Sequence, residues 1–433
     1  MENYRQIVGK FNWYLFLLVA FTLSFSPVIV RVVWTIWLIS WFLELRFLDR
    51  KNFAISKYQI PAFLLLMFFV WQLVSYLWTI DKVSAGVVLE RQVSYLFLPI
   101  IMMFGVNRNY DVKKSIVSFI IGSAVISVFY IYGILVFSNH TSISNSDHYR
   151  ILENIRFDNF IKYFPGYFGR VRHHAFFSNV LIIASIFLLF IYDDIKNLVG
   201  KKITFVLTFT YLIINGFFFV YLVDSRASIV TILILLFVAA LRYAIQGKKW
   251  IFLLLSLIVV LVSFVLIFSF HPRFRNIEYS KLVDIERVDN NDDARLKIWS
   301  TALKHIDEYV FTGEGVGSSK LFLEQKNRED NVFDESFIEI KYHSHNQYIE
   351  TTIDVGIFAL LLFISVFVLQ IYISTSTTKK IGFYIAVCFA VKCGFECMFR
   401  FYDVVILLCF IMLILYWLNT NKCQKSDNLS LEK

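Results

Sequence analysis

Asp403-Val404-Val405-Ile406-Leu407-Leu408-Cys409-Phe410-Ile411-Met412-Leu413-Ile414-Leu415-Tyr416-Trp417-Leu418-Asn419 is an apolar run closed by one Asp and one Asn. A helix needs roughly 20 mostly apolar residues to cross about 30 Å of hydrocarbon. The run meets that need, and reading outward from it finds eleven more. They lie near 381–398, 351–373, 250–270, 227–243, 203–223, 175–192, 115–137, 86–105, 60–79, 30–46 and 12–28. The sequence therefore predicts an all-α polytopic membrane protein with about 12 transmembrane helices. Pro27 and Arg31 make a tight break between the first two spans, and Glu90 and Arg91 sit inside the fourth.

Composition agrees. The chain has 433 residues, 58% hydrophobic, 18% aromatic and 17% charged, with mean hydropathy +0.63. A soluble domain is about half apolar and about a quarter charged, so this excess exceeds what a soluble core hides. With 5 Pro and 16 Gly, disordered, collagen-like and linker-rich classes are excluded. Cys388, Cys393, Cys397, Cys409 and Cys423 lie in or beyond the last apolar segments without a CxxC pair, which is no disulfide framework. Met1–Lys10 is polar and no small-x-small site follows the first apolar run, so no cleavable signal peptide is expected.

Lys and Arg in short loops set orientation, because cytoplasmic loops carry their excess. Alternate connections hold Arg46, Arg50, Lys51 and Lys57; Arg108, Lys113 and Lys114; Lys196, Lys201 and Lys202; Arg242, Lys248 and Lys249; and Lys379 and Lys380. All fall on the side of the amino terminus, and Lys422 and Lys425 of the tail agree, so both termini are expected in the cytoplasm. The net charge of +9 follows from this pattern and calls for no nucleic acid.

The expected organisation is then spans 1–9 over residues 1–270 with an outer loop near 139–174, a large outer loop over 271–350, spans 10–12 over 351–419, and a cytoplasmic tail over 420–433. Within the large loop, Leu296, Ile298, Trp299, Ala302, Leu303 and Ile306 recur at helical spacing, predicting a small helical subdomain on the outer surface. All eight His (140, 148, 173, 174, 271, 305, 343 and 345) fall on the outer side. Histidine exchanges protons near neutral pH, which puts candidate chemistry there.

Arg226, between two long apolar runs, reads either as an interfacial side chain paired with Asp224 or as an anion ligand whose guanidinium fork suits phosphate oxygens. Arg295 opens the loop helix, where Asp292 or Asp293 would cap the helix and pair with it, or it is functional. Gly313-Glu314-Gly315-Val316-Gly317-Ser318 lacks the Gly-Lys-Ser/Thr ending of a phosphate loop and reads as a turn closing the loop helix. His343-Ser344-His345-Asn346 precedes the tenth span. Two alternating His without a third matched ligand give a poor zinc site, whereas a His near Glu350 suits a general base or a phosphate donor, or is structural. Lys392, Glu396 and Arg400 recur every four residues, predicting one polar helix stripe with ion pairs along it, either a functional pathway or helix–helix glue.

These residues resemble the O-antigen ligase and O-antigen polymerase superfamily of bacterial inner membranes. The likeness covers the topology and, most specifically, about residues 220–365. It is carried by Arg226 in Asp-Ser-Arg-Ala-Ser, by Ala294-Arg295-Leu296 opening the large loop, and by the Gly313, Gly315, Gly317 turn. It is carried above all by His345-Asn346 followed, after nine residues, by Gly356. The ligase signature ends in Gly, Thr or Tyr; here that position is Ala359.

The resemblance implies a membrane-embedded, GT-C-like glycosyltransferase of lipopolysaccharide biosynthesis, inverting and metal-independent, with no cofactor. The donor would be a glycan on undecaprenyl pyrophosphate and the acceptor a sugar hydroxyl on lipid A–core, with the active site on the periplasmic side. Arg226, Arg295 and His345 would be catalytic: two cations for the departing pyrophosphate, and an imidazole to take or orient the acceptor proton. Asn346, His343, Arg400 and Lys392 would bind substrate, and the donor's tail would lie in a groove between spans. A repeat-unit polymerase uses the same donor. A secondary transporter is the alternative from another class, but no similarity between halves is evident and the polar residues gather at the outer face.

Overall fold

The computed structural model describes residues 2–48, 53, 55–105, 110–140, 174–217, 226–247, 251, 257–258, 262, 291–332 and 343–431; the side chains of 2, 130, 133–140, 174–175, 216–217, 226, 247, 291–294, 377 and 421–431 lie outside the description. The expected ninth span and most of the 139–174 loop also lie outside it.

The helices are α1 Glu2–Thr22, α2 Pro27–Leu43, α3 Ile60–Ser75, α4 Lys82–Gln92, α5 Ser94–Phe104, α6 Val112–His140, α7 His174–Phe190, α8 Tyr192–Val199, α9 Lys201–Phe217 and α10 Arg226–Gly247. After them come α11 Asn291–Lys304, α12 Ile306–Tyr309, α13 Ser319–Glu329, α14 Gln347–Ile373, α15 Ser376–Phe395 and α16 Tyr402–Leu431. No strand occurs among the described residues. Seven helical runs among them are long and apolar enough to cross a bilayer, and α7 with α8, bent by 58°, makes an eighth if the pair counts as one broken span. The chain is an all-α, multi-pass membrane protein.

The first two helices differ from the expected spans 12–28 and 30–46. The chain breaks between Thr22 and Pro27 because Ser26 caps α2, its hydroxyl accepting from Val28 N at 3.3 Å, and Pro27 takes the first helical turn, where its missing N–H costs nothing.

The run 404–415 is buried on every face, so α16 is the central helix of the bundle, not a lipid-facing one. It packs against α2, α4, α5, α6 and α15. Apolar side chains gain little by leaving lipid for protein, so close packing and buried hydrogen bonds hold such a bundle. Trp34, Trp37 and Trp41 line the inner face of α2, and Trp34 Nε1 donates to Ser94 Oγ at 3.1 Å. Gln59 Nε2 donates to Met102 O at 3.0 Å and to Tyr416 Oη at 3.2 Å, tying α16 to the segment before α3.

The loop helices form as the spacing predicts, with α11 packed on α13. Ile298, Ala302, Tyr309, Phe322 and Leu323 make a small core that also takes Ile353 of α14. The helix starts at Asn291, so Asp292 and Asp293 lie within its first turn and do not precede it as caps.

The glycine-rich stretch is the turn expected, and it is driven into the bundle. Gly313, Gly315 and Gly317 all have positive φ. Val316 N donates to Ser75 Oγ at 3.1 Å, Thr79 Oγ1 to Val316 O at 2.8 Å, and Trp78 Nε1 to Gly313 O at 3.2 Å. Opposite, α14 is broken at Gly356, with φ 77° and ψ 173°. The break frees backbone groups that the loop satisfies: Ile357 N donates to Val310 O at 2.6 Å and Glu314 N to Ile353 O at 2.8 Å. A Cβ on Gly356 would overlap Phe311 O, and one on Gly313 would stand 2.5 Å from Asp354 O. Loop and spans are therefore one folded unit at this end of the bundle, the loop end.

Candidate active site

Three segments meet at the loop end: α11, the turn before α14, and the linker between α15 and α16. Asn346 starts α14, its Oδ1 accepting from Tyr348 N at 2.9 Å and Ile349 N at 3.2 Å. One residue earlier, His345 has φ 48°, a left-handed conformation unusual for a side chain of this size. Trp299 of α11 fixes the turn by donating from Nε1 to Ser344 O at 2.6 Å.

α15 ends at Phe395, and Glu396 is extended, with φ −149° and ψ 149°. That geometry aims its carboxylate at α11 and the histidine turn. Glu396 Oε1 accepts from Arg295 Nη2 at 3.1 Å, and Oε2 lies 3.2 Å from His345 Nδ1. Arg295 Nη2 is itself 3.5 Å from His345 Nδ1. Arg295 keeps 29% and His345 26% of the side-chain surface exposed, so both reach solvent or ligand, whereas Glu396 keeps 10%. A partly exposed guanidinium beside a partly exposed imidazole, backed by a buried carboxylate, can hold an anion and move a proton.

The stripe expected for Lys392, Glu396 and Arg400 does not exist. The helix ends before Glu396, and Arg400 lies in a short 3₁₀ turn, Met398–Arg400. The three residues go three ways. Lys392 is fully buried and donates to Ser178 Oγ at 2.9 Å and to Ser228 Oγ, joining α15 to α7 and to the first turn of α10. Arg400 Nη1 lies 2.9 Å from Glu350 Oε1, with only 16% of its side chain exposed.

This arrangement also corrects the pairing of histidine with Glu350. That carboxylate is taken by Arg400, with Ser344 Oγ at 3.1 Å and Cys397 Sγ at 2.9 Å from its Oε2, and the acid that reaches His345 is Glu396. Asn346, expected to bind substrate, spends its side-chain oxygen capping α14. The His343 ring stands 4.0 Å from that of His345. Burial, helped by the neighbouring His345, pushes the His343 imidazole down to about 4, so it is neutral near neutral pH. The side chain of Arg226 lies outside the described residues; its helix, α10, begins at that position. Among the described residues no three His, Cys, Asp or Glu side chains gather as a metal-binding set.

Away from this cluster, an apolar cavity of about 570 Å³ lies between α7, α9, α10 and α15, lined by residues including Ile186, Leu212, Leu235 and Ile381, with Lys380 at its edge.

Residues 210–364 match the family model described as O-antigen ligase. Over that segment the chain is similar to the O-antigen ligase-like superfamily. No curated protein matches it. In this ligase-like chain the matched segment holds Arg226, Arg295, His343, His345 and Asn346 and runs past the break at Gly356. Glu396, Lys392 and Arg400 lie beyond it, so the carboxylate that joins Arg295 to His345 comes from outside the matched segment. The sequence placed Glu396 only in a polar helix stripe with Lys392 and Arg400. Its partners are 101 and 51 residues away, and no local pattern links them.

Proposed function

We propose that this ligase-like glycosyltransferase moves a glycan from undecaprenyl pyrophosphate to a sugar hydroxyl of lipid A–core, at the periplasmic face of the inner membrane. The observation that carries the reading is the contact of Arg295, His345 and Glu396 at the loop end. Both termini are then cytoplasmic and the loop end faces the periplasm.

Arg295, with Arg226 at the head of α10, neutralises the charge growing on the departing pyrophosphate. His345 takes the proton of the acceptor hydroxyl through Nε2 while Nδ1 is held by Glu396. The acceptor oxygen bonds to the anomeric carbon, the bond from that carbon to the pyrophosphate oxygen breaks, and the lipid pyrophosphate leaves as an anion. The proton stays on the imidazole until solvent takes it. Two guanidinium groups supply the charge that a metal would otherwise provide.

Deleting the gene in its host tests this reading. Bare lipid A–core on a gel, with long glycan stranded on undecaprenyl pyrophosphate, is the expected result. Core bearing a single repeat unit assigns the polymerase reaction instead, and an unchanged ladder refutes both.

A further inference from the structure

His345 Nδ1 stands between an acceptor and a donor: Glu396 Oε2 at 3.2 Å and Arg295 Nη2 at 3.5 Å. These neighbours demand opposite tautomers. A hydrogen on Nδ1 can be given to Glu396, which leaves the Nε2 lone pair free to act as a base. A bare Nδ1 accepts from Arg295, and the hydrogen then sits on Nε2, which can only donate. The same Glu396 carboxylate also accepts from Arg295, through Oε1 at 3.1 Å, so the guanidinium shares the group that selects the basic form while also offering a hydrogen to Nδ1.

Building on the proposed transfer reaction, we infer that binding of the donor's pyrophosphate arms His345. The pyrophosphate draws Arg295 onto its own oxygens. With that donor withdrawn from Nδ1, Nδ1 gives its hydrogen to Glu396 and Nε2 becomes the base. Glu396 is a positioning residue: it touches no reacting atom but sets which nitrogen of His345 carries the proton. The consequence is an order of events, donor before acceptor, with the base assembled only when there is a leaving group to use. Glu350, the other acid beside the turn, cannot substitute because Arg400, Ser344 and Cys397 surround it.

The test uses the full chain in lipid nanodiscs with ¹⁵N-labelled histidine, the His345 signals being assigned by their loss in His345→Gln. Farnesyl diphosphate is the probe. At saturation, the expected change is a shift of His345 toward the form protonated on Nδ1. In E396Q the shift is absent, kcat falls by about 10²- to 10⁴-fold, and donor KM stays within about threefold. E396D restores part of kcat, which a purely packing role for Glu396 does not predict. An unmoved tautomer with the diphosphate bound, or E396Q with wild-type kcat, overturns the inference while His345→Ala still reports on the transfer reaction itself. A probe that does not bind overturns the inference and the proposed donor together.

Discussion

Arg400 Nη1 lies 2.9 Å from Glu350 Oε1, and the carboxylate so held lies within 3.1 Å of Ser344 Oγ, one residue before the left-handed His345. The pair is buried, and stripping one member of a buried pair leaves an uncompensated charge. Arg400→Ala is expected to destabilise the protein by about 3–5 kcal/mol. Glu350→Gln combined with Arg400→Met recovers much of that loss. Thermal unfolding in detergent checks both, and a fully stable single variant would refute the structural role given to the pair.

Replacing His345 or Arg295 by Ala is expected to abolish transfer at normal membrane levels of protein, and replacing Arg226 likewise. Arg295→Lys keeps charge but not the two-pronged geometry, so transfer falls by at least about tenfold. Complementation of a deletion strain, with lipopolysaccharide gels and membrane immunoblots in parallel, reads all four. Wild-type activity in the alanine variants would sink the site assignment.

His343 gives a pH prediction with a definite sign. The folded protein holds it at about 4, against about 6.5 in the unfolded chain. Between those values the unfolded state binds a proton that the folded state refuses, so stability is full above about 6.5 and is lost as pH falls toward 4. The full effect is about 3 kcal/mol. His343→Asn should flatten this part of the stability–pH curve in detergent; an unchanged slope would contradict the buried neutral state.

Gly356 can be challenged directly. Gly356→Ala forces a Cβ into Phe311 O and asks an alanine to hold φ 77°, so the protein loses at least about 1–3 kcal/mol and the loop loosens from α14. Hydrogen exchange should quicken at Ile357 N and Glu314 N, whose bonds cross the break. Unaltered protection there would show that the loop is held by something else.

Much of the fold was legible because hydrocarbon imposes a length on any spanning helix: the run 403–419 announces a span, and α16 covers it. What the run does not announce is its neighbours. Val404 to Leu415 read alike whether lipid or protein surrounds them, and only the tertiary structure makes α16 central. Arg295 and His345 were legible as candidates because a charge or an imidazole beside a membrane span needs a reason. Glu396, Arg400 and Lys392 were misread as a stripe, since a four-residue spacing signals a helix face only if the helix continues, and α15 stops at Phe395. Asn346 showed the same limit from the other side: His-Asn is visible as a pair, but whether the amide reaches substrate or caps α14 depends on where the helix begins.

The bonds that cross the Gly356 break have a bearing on engineering. Residues 310–318 are laced to Ser75, Trp78 and Thr79 on one side and to Ile353 and Ile357 on the other. A chimera that exchanges only the loop to alter acceptor choice would sever these bonds at both ends. The transferable module is a composite: the loop, the end of α3 with the strip up to Thr79, and the first turns of α14 must be grafted as one cassette. A secreted version of residues 291–332 alone would lack the surface on which it is cast.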